Sequence, residues 1–266
     1  MKHLIILLAA FAITLPSLAQ DSRKKTTSKK EEKRQRINKM IKQEEEGVIA
    51  YKKHFAGGIK LASDGYGLFI EKGKAKSIKK ALLFQLEIAE RKHQKEEKQS
   101  LPGSSGLPII YGKINFFYPI KLGVQQQFLL GNKSNKNGVA ITANFGGGIS
   151  LGLLRPYFIN TLDSTGNRKD VRYESADSLL FLDADIDPFA EGPGLGKGWK
   201  YMKMTPGLYA KAALRFDFGR YNELMKAIEV GLTGEFYTKK IPQMVYVKQK
   251  QFFFGAYFSI LFGRRK

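Results

Sequence analysis

The chain has 266 residues, of which 43% are hydrophobic, and its 45 Lys and Arg against 24 Asp and Glu leave a formal net charge of +21. It contains no Cys, which excludes a disulfide framework and a lipid anchor attached through Cys. In a cytosolic protein this positive charge would point first to nucleic acid as the partner. The first residues exclude that partner, because they predict export from the cytoplasm.

Residues 1–19 have the parts of a secretory signal peptide. Lys2 supplies a positive start, residues 4–15 form an apolar run, and Pro16 to Ala19 offer the small residues that a signal peptidase recognises. A membrane-spanning helix would need about 20 apolar residues, and this run is shorter. We therefore expect cleavage after Ala19 and no nucleic acid as a partner.

Residues 20–47 form a basic segment that cannot build a core. Ser, Thr, Lys and Glu dominate it, and its apolar positions are Ile37, Met40 and Ile41. From Glu31 to Glu46 most residues are good helix formers, so a frayed helix and a disordered segment both remain open. We expect a periplasmic segment that is helical or disordered.

From residue 48 onward, apolar residues alternate with polar or small ones, and Gly, Asn, Asp and Lys interrupt the alternation. A period of two is typical of β-strands whose two faces meet different surroundings. We predict strands at 54–62, 66–72, 82–90, 109–118, 122–130, 139–151, 153–162, 207–218, 228–237 and 252–262. Ser63-Asp64-Gly65 predicts a tight hairpin between the first two strands, and Tyr118-Pro119 predicts a short connection between the fourth and fifth.

These strands predict an all-β fold, a transmembrane antiparallel up-and-down β-barrel over residues 48–266, with about ten strands and with eight or twelve as alternatives. An even number places both ends of the barrel in the periplasm. The longest connection, residues 163–202, then faces outside, as do the loops near 91–107, 132–137 and 239–247. The competing fold is a soluble β-sandwich or a lipocalin-like barrel, whose polar face would look out to water.

The last predicted strand carries the clearest apolar face. Its outward residues are Phe252, Phe254, Phe258, Ile260 and Phe262. A soluble sheet would hide such a strand in its middle, but here it is the last element and lies close to the C-terminus. This position favours contact with the hydrocarbon of a membrane.

If the apolar faces meet lipid, the opposite faces line a lumen. The charged residues predicted there are Lys60, Glu71, Glu87, Lys113, Lys211, Arg215, Asp217, Glu229 and Glu235. Buried charges must be paired or hydrated. The opposite charges on neighbouring strands favour a cross-linked interior that fills a small barrel. The alternative is a narrow, ion-conducting lumen whose selectivity these charges set.

Two motifs suggest metal or phosphate binding but do not fit. Asp183-Ala184-Asp185-Ile186-Asp187 places carboxylates at alternate positions, yet Pro188 and Gly194 replace the Gly and the bidentate Glu that a calcium loop requires. The glycine-rich residues 192–198 lack the spacing of a phosphate-binding loop. We expect no metal and no cofactor.

Some membrane barrels are enzymes, and His93 is the candidate base here. Ser100, Ser104 and Ser105 lie near it in the chain, as does Glu96. Such residues form a nucleophilic site when their side chains are held in hydrogen-bonding geometry. Nothing in this loop predicts that geometry, so we expect no enzymatic activity.

Taken together, the signal, the basic lead, the alternating strands and the aromatic last strand resemble the small single-chain outer-membrane β-barrel proteins of Gram-negative bacteria, over roughly residues 48–263. Their C-terminal strand motif matches Phe252 to Phe262, although Gly263-Arg264-Arg265-Lys266 follow where many members stop at an aromatic residue. The resemblance implies insertion by the barrel assembly machinery and an outer-membrane location. It implies no activity, because members include adhesins, channels, enzymes and accessory subunits.

We therefore expect a non-enzymatic barrel with a structural or accessory role, surrounded by outer-membrane lipid and lipopolysaccharide. It would engage an envelope protein complex through residues 23–46 and its outer loops. The second hypothesis is a narrow, porin-like channel for ions or small solutes. The third is a lipid-modifying enzyme of the outer membrane.

Overall fold

The computed structural model describes residues 30–35, 37–39, 42, 52–77, 79–100, 106–133, 138–163, 165–174, 176, 178–183, 187, 189–194, 196–219 and 224–265. The predicted signal peptide, residues 1–19, lies outside these ranges. The described residues between 30 and 42 are helical and mostly exposed. Among the described residues, no helix is both long enough and apolar enough to cross a membrane.

Antiparallel strands make up most of the described chain. In chain order they are β1 (Lys53–Ala62), β2 (Gly65–Ser77), β3 (Lys80–Arg91), β4 (Lys98–Gln99), β5 (Ile109–Ile110), β6 (Asn115–Gly131), β7 (Ala140–Pro156), β8 (Ile159–Leu162), β9 (Arg168–Val171), β10 (Lys203–Asp217), β11 (Leu224–Ile241) and β12 (Lys250–Arg265). Eight of them close into a barrel in the ring order β1-β12-β11-β10-β7-β6-β3-β2. The short strands pair as β4 with β5 and β8 with β9, outside the ring.

The predicted up-and-down antiparallel barrel is confirmed, with eight strands, the smaller of the two predicted alternatives to ten. The expectation of a connection at Tyr118-Pro119 is wrong, because β6 runs through both residues. Pro119 pairs in register with Gly152 of β7, while the ladder between β3 and β6 is interrupted between the pairs Ile88↔Ile120 and Arg91↔Phe117. Proline is tolerated where a ladder is interrupted, because it has no N–H to donate.

A second pair of predicted strands also merges. Residues 139–151 and the start of 153–162 form the single strand β7, and residues 159–162 form β8 outside the ring. Each merger removes one predicted crossing of the barrel. After the first merger the chain runs in the direction opposite to the one predicted, and after the second merger it again runs in the predicted direction. The connection between β6 and β7 therefore joins these strands at the end of the barrel where β1 starts and β12 ends. The expectation that the loop near 132–137 lies on the same side as the longest connection is wrong.

The two ends of the barrel differ in the length of their connections. The terminal end holds the start of β1 and the end of β12, together with the short connections after β2, β6 and β10. The loop end holds the predicted Ser63-Asp64 hairpin and the long connections 92–114 and 157–202. Long loops at one end and short turns at the other are typical of outer-membrane barrels.

An apolar core organises the long connections at the loop end. It consists of Ile109, Ile110, Tyr157, Ile159, Val171, Phe181 and Ala190. The backbone N–H of Ile110 donates a hydrogen bond to the Tyr157 hydroxyl at 2.8 Å, and the short helix Ser178–Leu182 supplies Phe181. The two long connections are therefore packed together.

Candidate functional site

The outward face of the barrel is apolar and the inward face is polar. On β12, the exposed fractions of the outward side chains lie between 38% for Phe258 and 63% for Phe254, whereas Ser259 on the opposite face is buried. Successive side chains of a strand point to opposite faces, so each strand presents one face to the surroundings and one to the lumen. This polarity is the reverse of that of a soluble barrel and matches a bilayer outside.

Glu229 of β11 is buried in the lumen and collects several hydrogen-bond donors. Its carboxylate accepts hydrogen bonds from Lys211 Nζ at 3.0 Å and from Arg215 Nε at 2.8 Å. The Tyr257 hydroxyl and Asn144 Nδ2 also donate to it, each at 2.8 Å. Side chains of four consecutive strands of the ring, β12, β11, β10 and β7, thus meet at one carboxylate.

Arg215 extends this network across the full width of the barrel. Its Nη1 and Nη2 donate to Glu71 at 2.6 and 2.8 Å, a bidentate pair. Arg215 is on β10 and Glu71 is on β2, four places apart in the ring of eight and therefore on opposite walls. His54 Nε2 lies 3.0 Å from the same carboxylate.

A second set of ion pairs crosses the lumen closer to the loop end. Glu87 binds Lys60 at 2.7 Å and Lys121 at 2.9 Å, and Lys121 also lies 2.5 Å from Glu235. Arg91 Nη2 of β3 reaches Glu235 of β11 at 3.5 Å, again between opposite strands of the ring. The lumen is thus bridged at two levels.

Apolar clusters lie beyond the ion pairs at both ends. Towards the loop end, the rings of Phe117, Tyr237 and Phe253 pack with centroids 5.3 to 5.9 Å apart. At the terminal end, the buried cluster consists of Ala56, Phe69, Met225, Ala227 and Leu261. Breaking a buried ion pair leaves an uncompensated charge and is costly, so this interior resists rearrangement. The arrangement links opposite walls of the lumen at two levels.

No protein-family model matches the chain, and no curated protein matches it in sequence. Among solved structures, it is similar to Neisserial surface protein A at 10% identity and a TM-score of 0.37, covering 81% of this chain and 96% of that one. It is also similar to Ail of Yersinia pestis (9% identity, TM-score 0.37, 81% and 99% covered). A third is the N-terminal β-barrel domain of Pseudomonas aeruginosa OprF (9% identity, TM-score 0.35, 80% and 98% covered).

The closed ring of eight strands, with lipid-compatible side chains outside and charges inside, decides the architecture on its own. The chain folds as a transmembrane β-barrel of the outer-membrane type. A closed barrel leaves no strand edge unpaired, which is what the hydrocarbon of a bilayer requires. This architecture agrees with the outer-membrane location that the sequence predicts.

The structure places eight of the nine residues predicted for the lumen on inward, buried positions of barrel strands. They are Lys60, Glu71, Glu87, Lys211, Arg215, Asp217, Glu229 and Glu235. Asp217 lies at the terminal end and pairs with Arg265, with Lys133 3.8 Å away. The expectation for Lys113 is wrong, because it lies in a connection at the loop end, where it pairs with Glu96 and bridges to Met244.

Sequence reasoning missed two cations that bridge the lumen. Lys121 fell in the connection wrongly predicted between residues 118 and 122, and Arg91 lay just beyond the predicted strand 82–90. Both are buried on inward faces of their strands. Continuing the alternation of 122–130 backwards by one residue would have placed Lys121 inside.

Among the described residues, the candidate catalytic histidine is not paired with a nucleophile. His93 Nδ1 accepts a hydrogen bond from the Lys95 backbone N–H at 3.2 Å, and Glu96 is engaged by Lys113. Burial lowers the pKa of His93. Within the described part of the chain no serine is hydrogen-bonded to it, and Ser104 and Ser105 lie outside the described residues.

The acidic motif of the long loop has a structural role. Asp187 accepts hydrogen bonds from the Thr161 hydroxyl at 2.8 Å, the Leu162 N–H at 3.1 Å and the Phe189 N–H at 2.9 Å. Burial alone would raise the pKa of Asp187, but these hydrogen bonds lower it below its usual value. Asp185 lies outside the described residues, and among the described ones no group of three His, Cys, Asp or Glu is placed to hold a metal.

Proposed function

We propose that the protein is a non-enzymatic structural or accessory barrel of the outer membrane that acts through the surfaces at its two ends, and that its lumen does not conduct. The observation that carries this proposal is the double bridge of the lumen, with Arg215 paired to Glu71 and Arg91 paired to Glu235 across the ring. The apolar clusters at both ends of the lumen support it.

A conducting lumen would need a continuous path for water and ions. Barrels with about eight strands are generally filled by their side chains, and here the inward faces of opposite strands are in direct contact. The charged residues serve one another as partners, which leaves them unsuited to bind passing ions. The role of the protein is therefore expected at its surface, and we assign contact with an envelope protein complex to the basic segment 23–46 and the outer loops.

Recording of single purified barrels in planar bilayers tests the closed lumen. We expect no stepwise conductance from the wild-type protein. The variant R215S/E71S lacks the bridge between Arg215 and Glu71. Its recording is compared with that of the wild-type protein, as an example of a barrel with a loosened interior. Stepwise conductance of the wild-type protein, with an ion selectivity that changes in Lys211→Gln or Glu229→Gln, would establish the channel instead.

Deletion of residues 23–46 tests the role of the basic segment. After cross-linking in cells and purification, we expect at least one envelope protein to disappear from the set that co-purifies. A variant with the same residues 23–46 in scrambled order keeps the charge and length and separates sequence recognition from charge. An unchanged set of partners after deletion would contradict the proposal.

A further inference from the structure

Exposed cations gather around part of the terminal end of the barrel. This basic arc consists of Lys53 on β1, Lys72, Lys74 and Lys76 on β2, Lys80 on β3, Lys226 on β11 and Arg264 on β12. The ring order places these five strands side by side. The basic arc therefore forms one continuous surface.

Among the strand residues that the structure describes, the basic arc is one-sided. The outward positions in the terminal halves of the other three ring strands, β6, β7 and β10, carry no Lys or Arg. They include Phe128, Leu130, Ile141, Phe145, Leu214 and Phe216. A need for hydration at the membrane boundary would apply equally all round the barrel, so the asymmetry points to a ligand on one side.

Two like charges stand directly opposite one another in the basic arc, and two more lie on either side of one apolar residue. Lys53 pairs in register with Lys74, and Phe55 has Arg264 as its partner on one side and Lys72 on the other. Like charges in opposed positions on neighbouring strands destabilise a sheet. The single acidic residue of β1, β2 and β12 is Glu71, which is buried in the lumen.

No protein carboxylate neutralises this surface among the described residues. None of the seven cations takes part in an ion pair there. Lys80 Nζ lies 5.4 Å from the centroid of the Phe128 ring. An anion from outside the chain would relieve the repulsion.

The height of the basic arc on the barrel identifies the anion. On β2 the outward residues run Leu68, Ile70, Lys72, Lys74 and Lys76, and the two apolar ones are 63% and 49% exposed. Outward neighbours along a strand are about 7 Å apart and adjacent strands about 4.8 Å apart. The cations thus begin where the outward apolar residues of the strand end, which is the level expected for lipid phosphates. Lys53 and Lys74 are in register on adjacent strands and are close enough to share one phosphate.

We propose that the basic arc binds the phosphate groups of anionic lipids in the leaflet at the terminal end, so that the barrel holds an anionic lipid shell on one side. Phosphates are strong acceptors for Lys and Arg, and the lipid chains lie against the apolar belt below. The proposal concerns the wall of the barrel and does not depend on a partner of residues 23–46.

The test compares two triple variants with the same loss of charge. Lys72→Gln, Lys74→Gln and Lys76→Gln remove part of the basic arc, and Lys239→Gln, Lys240→Gln and Lys248→Gln remove exposed lysines at the loop end. Each protein is reconstituted in nanodiscs of phosphatidylcholine and phosphatidylglycerol, and native mass spectrometry counts the lipids that stay bound. Because each cation near an anionic surface contributes about fivefold to binding, we expect phosphatidylglycerol retention to fall at least about tenfold in the arc variant alone.

Equal phosphatidylglycerol retention in the wild-type protein and both variants would overturn the proposal. So would an arc variant that loses only binding of soluble polyphosphate in detergent, because the ligand would then be an acidic polymer. Heat-modifiable migration on a gel verifies folding, and Lys53→Gln with Arg264→Gln replaces the triple variant if that fails to fold. Repeating the measurement without residues 23–46 separates this proposal from the partner proposal.

Discussion

Arg215 on β10 donates two hydrogen bonds to Glu71 on β2, on the opposite wall of the barrel, at 2.6 and 2.8 Å. These side chains meet because an eight-stranded barrel is narrow enough for side chains to fill it. The pair joins residues that are 144 positions apart in the chain. It therefore acts as a tie between the two halves of the ring.

Arg215→Met is predicted to destabilise the barrel by about 3–5 kcal/mol, because it leaves the buried carboxylates of Glu71 and Glu229 with fewer partners. Glu71→Gln should also destabilise, and the double variant should cost less than the sum of the two, with a coupling of about 0.5–3 kcal/mol. The measurement is urea unfolding in phosphatidylcholine vesicles. Lys200→Met, at an exposed loop position, is the control and should change stability by less than about 0.5 kcal/mol. Strict additivity of the two lumen substitutions would contradict a direct pair.

If β12 contacts lipid, the cost of placing a charge on its outward face should depend on the depth of that position in the bilayer. Phe258→Arg lies near the middle of the strand and should cost about 2–4 kcal/mol, whereas Phe262→Arg near the terminal end should cost about 0–1 kcal/mol. The reason is that a cation is more expensive at the centre of the hydrocarbon than at its boundary. The same unfolding assay measures both variants. Equal and small effects would show that water, and not lipid, contacts this face.

The absence of a side chain at Gly123 makes room for Tyr209. A Cβ atom at Gly123 would collide with the Tyr209 hydroxyl and would lie 2.6 Å from the Gly147 carbonyl oxygen. Gly123→Ala is therefore predicted to destabilise by about 1–3 kcal/mol. Adding Tyr209→Phe should restore part of the loss, because it removes only the first of these contacts.

Gly131→Ala in the same strand is the matched control. Its Cβ would meet nothing closer than Ile141 at 3.9 Å, so we expect a change below about 0.5 kcal/mol. Chemical denaturation of both variants decides the comparison. A Gly131→Ala variant as unstable as Gly123→Ala would mean that strand flexibility, and not the space for Tyr209, is the cause.

The outer loop should loosen in acid because of Asp187. Its folded pKa lies below the unfolded value of 3.8, so its stabilisation is complete above that value and is lost as the pH falls through the folded pKa. We expect protection of the Leu162 amide against hydrogen exchange to decrease between pH 5 and pH 2, after correction for the intrinsic exchange rate. In Asp187→Asn, the part of this decrease that is due to Asp187 should be absent. A smaller decrease can remain, because Asp163, whose pKa is also lowered by its hydrogen bond from Thr165, still titrates in the same loop. Identical pH profiles for the two proteins would exclude Asp187 as the cause.

The hairpin of β10 and β11 and the last strand followed from the sequence closely. Residues 207–218 were predicted where β10 covers Lys203–Asp217, and 252–262 where β12 covers Lys250–Arg265. In these segments the alternation is unbroken, and alternation is a local property. The sequence reading failed at Pro119, where a residue that usually ends a strand sits at an interruption of the ladder. That error left Lys121 out of the predicted lumen. Lys113 was placed in the lumen for a different reason, because the predicted strand began at residue 109 whereas β6 begins at Asn115.

The sequence by itself determined which face of each strand meets lipid, because successive side chains point to opposite sides of a strand and polarity then sorts the faces. It also determined that the charged residues of the barrel needed partners. Only the tertiary structure decided the partners, since the ring order brings β10 opposite β2 and β3 opposite β11. It also decided the number of crossings and the one-sided basic arc, because both depend on which strands are neighbours in the closed ring, a relation that no local pattern contains.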